Sequence, residues 1–202
     1  MARPSNKEAI LKEAFKLFLS KGFDAVSFSD LVEATGISRG GMFHHFKGKE
    51  DIFNQVADRF VFDFLKQNEP LNEDIDSLTP LKTFLHKYIE KVEKRMQYFS
   101  ASFGDAVNSA SFMSFILYLK NHYAYWGEKF QVFEKQELAK WSEAIMQSKK
   151  SGEIRDDVED SQLIDTFRNI YLGLSYKGAL VNRLSIDDLQ KLWNFVYKGV
   201  IK

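Results

Sequence analysis

Across 202 residues only three prolines occur, at positions 4, 70 and 80, and no stretch sustains the apolar–polar alternation of a half-buried strand. What recurs instead is the three-to-four-residue spacing of a helical face. Ile10/Leu11, Ala14/Phe15, Phe18 and Leu19 form one such stripe, closed at Gly22, a good C-cap position. Ser27 or Ser29 can cap a second, shorter helix that turns Leu31 and Val32 inward and stops at Gly36. Ser38 can cap a third, with Met42, Phe43 and Phe46 as apolar contacts. A fourth starts near Lys49 or Glu50 and carries Ile52, Phe53, Val56 and Phe60. The segment "QNEPLNEDIDSLTP", residues 67–80, is acidic and holds both inner prolines, which makes it a loop between two helical bodies. Beyond it, Leu81, Phe84/Leu85, Tyr88/Ile89, Val92, Met96 and Phe99 mark a long helix of about six turns. Further helices are expected over 109–124, 127–150, 160–181 and 185–200, with Gly152 as a cap and Ser185–Asp188 as a capping box. The spacing predicts an all-α fold of about nine helices.

Composition narrows the function classes. Lysine plus arginine equals aspartate plus glutamate, so net charge says nothing for nucleic acid. Distribution says more: Arg39 to Lys49 holds three bases and no acid, a local patch on a neutral chain. A solvated loop with chance clustering has the same charge. No cysteine occurs, which removes disulfides and thiolate chemistry and fits a reducing compartment. The start, "MARPSNKEAILKEAF", has no apolar signal-peptide core, and the charge-free run from Ala106 to Leu119 is too short to span a bilayer. A cytoplasmic protein without a membrane partner is the expectation. No nucleophile–base arrangement, metal-ligand spacing or phosphate-binding glycine loop points to an enzyme. His44 and His45 are adjacent, so on a helix they point about 100° apart and make a poor metal pair. Neither a metal nor a cofactor is expected.

The stretch "GISRGGMFHHFKGKED" places two glycines, Gly40 and Gly41, in a short helix, each disfavouring it by about 1 kcal/mol relative to alanine. Two short helices, a turn "TGIS" and a following helix with exposed polar groups make a helix-turn-helix, whose second helix enters the DNA major groove. Glycines there remove side chains from a helix that must approach DNA closely. Backbone N–H groups near Ser38 to Gly40 can then reach phosphates. A plain loop at Gly40–Gly41 is the alternative.

Residues 7–53 resemble the N-terminal DNA-binding domain of the tetracycline-repressor (TetR) family of bacterial regulators. The carrying stretches are "ILKEAFKLFLSKGF", "VSFSDLVEATGIS" and "RGGMFHHFKGKEDIF", with the Gly36-Ile37-Ser38 turn, the His45-Phe46 pair and Lys49 in the family's register. The joint "SGEIRDDVED" before the last two helices is also of a kind common there. The resemblance implies a DNA-binding domain over 1–50 and an effector-binding, dimerising domain over 51–202. It implies that Arg39 reads base edges, that Ser27 and Ser29 touch phosphate or an adjacent base, and that His45 and Lys49 hold the backbone. Two departures stand out: Phe43 occupies a place where the family usually has tyrosine, and Gly41 one where many members have threonine. Phe43 is either a contact to a thymine methyl or core.

Twelve aromatics crowd residues 98–141, nearly twice the chain's average density of 15%. They are either bulky core or, as the resemblance implies, part of a pocket for an apolar or aromatic effector. The pocket candidates are Phe99, Phe103, Phe112, Phe115, Tyr118, His122, Trp126, Phe130 and Phe133, with Phe167 and Tyr171 from a later helix. The last two helices are apolar on more than one face, so they are either buried within one subunit or paired with a second copy. The family's two-fold four-helix interface assigns Ile170, Leu174, Gly178, Leu189, Trp193, Val196 and Val200 to that contact. The expected function is a ligand-responsive homodimeric repressor on an inverted-repeat operator, signalling through the helix from Lys49 to about Lys66. A helical ligand-binding protein or small enzyme with a vestigial helix-turn-helix is the alternative, and an activator is not separable from a repressor at this level.

Overall fold

The computed structural model describes residues 6–63, 75–104, 108–181 and 183–202. Nine α-helices occupy these residues: α1 Asn6–Lys21, α2 Phe28–Thr35, α3 Arg39–Phe43, α4 Lys49–Ala57, α5 Pro80–Phe103, α6 Ser109–His122, α7 Trp126–Ser151, α8 Asp160–Leu180 and α9 Ile186–Lys198. Among the described residues there is no strand beyond a single antiparallel bridge, Ile154 with Ile201. The expected loop over 67–80 and the stretch of α4 toward Lys66 lie mostly outside the described residues. Helix α4 runs on into a π-helical turn, Asp58–Phe62.

The chain divides into two compact units, Met1–Gln67 with Phe103–Lys129, and Asn68–Ser102 with Phe130–Lys202. This division differs from the expected boundary at residue 50, and packing gives the reason. In the first unit α1 buries its whole apolar stripe against α2, α4 and α6. The ring of Phe15 lies flat on Phe60 at 4.8 Å and meets the edges of Phe103 and Phe115 at 5.1 and 5.4 Å. Residues well past 50 therefore complete the core of the first unit. Stacked and edge-on rings add about 0.5–1.5 kcal/mol per pair to plain burial.

Lys49 was expected on the DNA backbone; its ammonium instead turns back onto the α1–α2 loop. It donates to the carbonyls of Phe23 (3.0 Å) and Val26 (2.9 Å) and lies 4.2 Å over the Phe23 ring. Two of its three N–H bonds are thus used inside the first unit. Asp58, on the π turn, accepts from Tyr123 Oη and pairs with Lys129. Burial and that bond push the Tyr123 phenol up to about 12.

The second unit is built round Trp141, whose ring meets Phe84, Tyr88, Phe167 and Trp193 at 4.8 to 5.7 Å. Glu153, in the joint after α7, accepts from the first free N–H groups of α5, at Leu81 (2.7 Å) and Lys82 (2.9 Å), and from Tyr197 Oη (2.9 Å). One carboxylate thus ties a helix N-terminus to the joint and to α9, the place where a negative charge is most favourable. Gly152, at φ +80°, makes the turn that delivers it.

Gly178, expected at a contact between copies, serves its own chain. A Cβ there would stand 2.9 Å from Leu184 Cα and 3.0 Å from the Arg183 carbonyl, and the Arg183 N–H donates to the Gly178 carbonyl at 2.8 Å. Gly178→Ala should lose about 1–3 kcal/mol through overpacking against backbone. Gly127→Ala, on an open stretch of α7, should gain up to about 1 kcal/mol. Calorimetric unfolding of both variants checks this, and equal stabilities would refute it. Lys49→Ala should lose about 1.5–3 kcal/mol with no DNA present, since two hydrogen bonds from a charged group go. A denaturant midpoint equal to wild type would show that the loop holds itself.

Candidate nucleic-acid interface

Helix α2 begins at a reciprocal cap. The Ser27 hydroxyl accepts from the Asp30 N–H (3.1 Å), while the Ser27 N–H donates to the Asp30 carboxylate (2.7 Å). Lys21 joins that carboxylate at 2.8 Å, and these bonds, Lys21 first and Ser27 next, hold it well below the usual range. Ser27, not Ser29, is the cap; Ser29 stands exposed in the first turn.

The turn follows from residue chemistry. Thr35 Oγ1 donates to the Leu31 carbonyl (2.7 Å) and accepts from the Ile37 N–H (3.2 Å). Gly36 takes the left-handed conformation at φ +66° and its N–H closes on the Val32 carbonyl. Ser38 then caps α3 by accepting from the Gly41 N–H at 3.2 Å. Met42 and Phe46 are buried and fix the helix to the unit beneath.

What α3 shows to solvent is Arg39, Gly40 and Phe43, continued by His44, His45 and Lys47. The two glycines separate here. At Gly40 nothing lies within 4 Å of a built Cβ, whereas at Gly41 the Ile37 methyl would stand at 3.0 Å. Gly41 is therefore explained by the protein's own turn, and only Gly40 leaves open space on the outer face. Phe43 is half exposed and stacks on Phe28 at 4.9 Å and 9°. The Arg39 guanidinium lies 5.3 Å from the Phe28 centroid and 5.9 Å from that of Phe43. Phe28 was missed from sequence, since it opens α2 and meets α3 only through the turn.

The aromatic candidates fall into both units rather than one pocket. Phe103 and Phe115 are core around Phe15, and Trp126 packs edge-on against Phe62. Tyr118 stacks on His122 at 4.0 Å and donates to Asp24 at 2.9 Å; Phe112 is half-buried. In the second unit Phe99 lies beside Tyr98, Phe130 beside Phe133, Phe167 is buried against Trp141, and Tyr171 meets Tyr88 at 5.9 Å. A cleft of about 490 Å³ in this unit is lined by Ile75, Ser77, Pro80, Glu143, Ala144, Gln147, Lys150 and Ser151, none of them a candidate. Sequence reasoning also missed Glu137, a buried carboxylate that accepts from Tyr88 Oη (3.2 Å) and pairs with Lys140 (3.0 Å). Burial first, then Glu137, pushes the Tyr88 phenol well up. Beside it Trp141 Nε1 is buried without a hydrogen-bond partner.

The residues expected at a contact between copies also have a place within their own chain. Leu189, Trp193 and Val200 point into the second unit's own core, with Trp193 Nε1 donating to the Phe167 carbonyl at 3.0 Å, and Ile170, Leu174 and Val196 pack against that core. The outward apolar residues are Leu172, Tyr176 and Leu180 on α8 and Leu192 and Phe195 on α9. Among the described residues no group of three or more acids and histidines is placed to hold a metal ion, and no helix is long and apolar enough to cross a membrane.

Residues 10–56 match the model of the bacterial regulatory proteins of the tetR family. The chain is 30% identical over 92 residues to IcaR of Staphylococcus epidermidis, the negative transcriptional regulator of the biofilm operon icaADBC. That match covers 44% of this chain and 48% of IcaR, so it spans about half the length of that relative. The fold is similar to the ketosteroid transcriptional regulator KstR2 of Mycobacterium tuberculosis, with TM-score 0.68 and 17% identity over 100% of this chain and 97% of that one. It is similar too to SmeT, the multidrug efflux pump repressor of Stenotrophomonas maltophilia, solved as a triclosan complex, with TM-score 0.65 and 17% identity over 98% and 93%. Residues 10–56 thus match the tetR family of bacterial regulatory proteins, and the chain as a whole is similar in fold to solved transcriptional regulators.

Proposed function

We propose that this chain is a homodimeric repressor of transcription that binds an inverted-repeat DNA site and is released by a small apolar or aromatic effector. The observation that carries the reading is the outer face of α3, where Arg39 stands exposed beside the unobstructed Gly40, with Lys47 exposed just past the helix end. Arginine grips guanine through two hydrogen bonds, lysine neutralises phosphate, and a side-chain-free position lets the backbone come close. Ser29 and His45, both exposed, and the capped start of α3 at Ser38 add further hydrogen-bonding partners for phosphate. No arrangement of nucleophile and base stands beside this face to favour an enzyme.

Two-fold binding needs a second copy. Leu172, Tyr176 and Leu180 recur every four residues along α8, and Leu192 and Phe195 are exposed on α9, which packs against it. An uncovered stripe of this kind marks an interface. For the effector, the support is the aromatic interior round Tyr88, Trp141 and Tyr171, with the Glu137 carboxylate as an orienting polar group. Apolar walls with few polar anchors suit a small-molecule site. The SmeT–triclosan complex is a precedent in a protein of this fold.

DNA binding is tested by measuring affinity for a preferred duplex and a scrambled one over a salt series. Arg39→Ala should lose about 1–3 kcal/mol on the preferred duplex and little on the scrambled one. Lys47→Ala should weaken both equally and lower the salt slope by about one. Equal losses on both duplexes for Arg39→Ala would remove it from base reading. Dimerisation is read by sedimentation: Phe195→Glu should give a folded monomer. Trp193→Glu should fail to fold, because it buries an unpaired charge and costs several kcal/mol. A dimeric Phe195→Glu would move the interface off this stripe.

A further inference from the structure

The outer face of the DNA-binding end carries an apolar feature that phosphate contacts leave unused. Phe43 is 49% exposed on the five-residue α3, and its ring stacks on Phe28 from the preceding helix. A large apolar side chain held half in water, its ring plane fixed within 9° of a neighbour, is presented rather than buried. Arg39 lies over both rings, within 6 Å of each centroid, close enough for a cation–π attraction. A guanidinium within cation–π reach of rings still has five N–H donors to offer a base. Neither ring carries a hydroxyl, so neither can donate to a phosphate. The one base feature in the major groove that an apolar ring recognises is the C5-methyl group of thymine.

We infer that Phe28 and Phe43 form, with Arg39, a tier that reads a thymine methyl group next to the guanine held by Arg39. The inference rests on the DNA-binding reading above. Phe43 makes the contact; Phe28 is a positioning residue that holds the ring upright; Arg39 is shared between the rings and the guanine. Surroundings fit DNA rather than a protein as the occupant. From Arg39 to Lys49 the chain holds three bases and no acid, and the neighbouring Gly40 has no side chain to keep a duplex away.

The probe is a duplex selected by this chain from a random double-stranded library, with each thymine replaced singly by deoxyuridine, which deletes only the methyl group. In each half-site one thymine beside a guanine should respond, with binding about fourfold weaker on replacement, the value of one buried methyl-sized group. Phe43→Ala should bind the thymine and uracil duplexes alike, and Phe43→Tyr, which keeps the ring, should still tell them apart. Phe28→Leu, which leaves the Phe43 ring unsupported, should blunt the difference. A selected duplex on which no thymine responds overturns the tier while leaving DNA binding intact. So does a Phe43→Ala variant that still prefers thymine. A chain that selects no duplex and binds no DNA overturns both readings.

Discussion

Everything at the DNA-binding end depends on how Phe15 is covered. Its ring is flat on Phe60 and edge-on to Phe103 and Phe115, so α1 is fixed by residues from three later parts of the chain. With α1 fixed, Leu31 of α2 and Met42 of α3 have a surface to bury against, and the turn at Gly36 holds the two at one angle. A five-residue helix is far too short to be stable alone. Its direction is set by the buried Met42 and Phe46, not by its own hydrogen bonds. The exposed residues of α3 inherit that rigidity. This is what a base-reading face requires, because a contact displaced by an ångström is no contact.

Lys49 shows how an interior use can hide in a charged sequence. It lies in an acid-free stretch, at a position that the family resemblance assigns to the DNA backbone. Its ammonium instead satisfies two loop carbonyls more than twenty residues earlier and rests on Phe23. Lysine can do this because its long stem reaches past the surface while its head keeps three donors. Nothing in the local pattern distinguishes this from an exposed lysine; the contact exists only once α1 and α4 are packed side by side. Lys47, two positions earlier, stays exposed and takes over the phosphate role in the proposed docking.

The helices themselves were legible. Ser27, Ser38 and Ser185 cap as their positions imply, Gly22, Gly36 and Gly152 end or turn the chain with positive φ, and the long apolar periods place α5 to α9 within a few residues. These signals are local, and local signals survive in a single sequence. The unit boundary was not legible, because the residues that complete the Phe15 core, Phe60, Phe103 and Phe115, lie far from it along the chain, and spacing carries no trace of those contacts. The aromatic crowd over 98–141 left core and pocket open for the same reason. Density marks bulky packing, but which of two cores each ring enters is decided by tertiary contacts. Glu137 escaped notice since a lone glutamate in an amphipathic helix reads as solvated until a tyrosine is found on it.

Helix α9 carries this reasoning furthest. Trp193 and Phe195 are two residues apart, hence about 200° apart round the axis. One is buried at the centre of the second unit and the other is 78% exposed. Both stripes on α9 are apolar, so periodicity alone cannot say which turns inward. The packing decides: Trp193 turns inward, where its indole N–H donates to the Phe167 carbonyl, and Phe195 is left in water. A lone subunit that leaves Phe195, Leu192, Leu180 and Tyr176 in water carries an apolar surface with no use inside the protomer. A second copy related by a two-fold axis would cover it with the same residues.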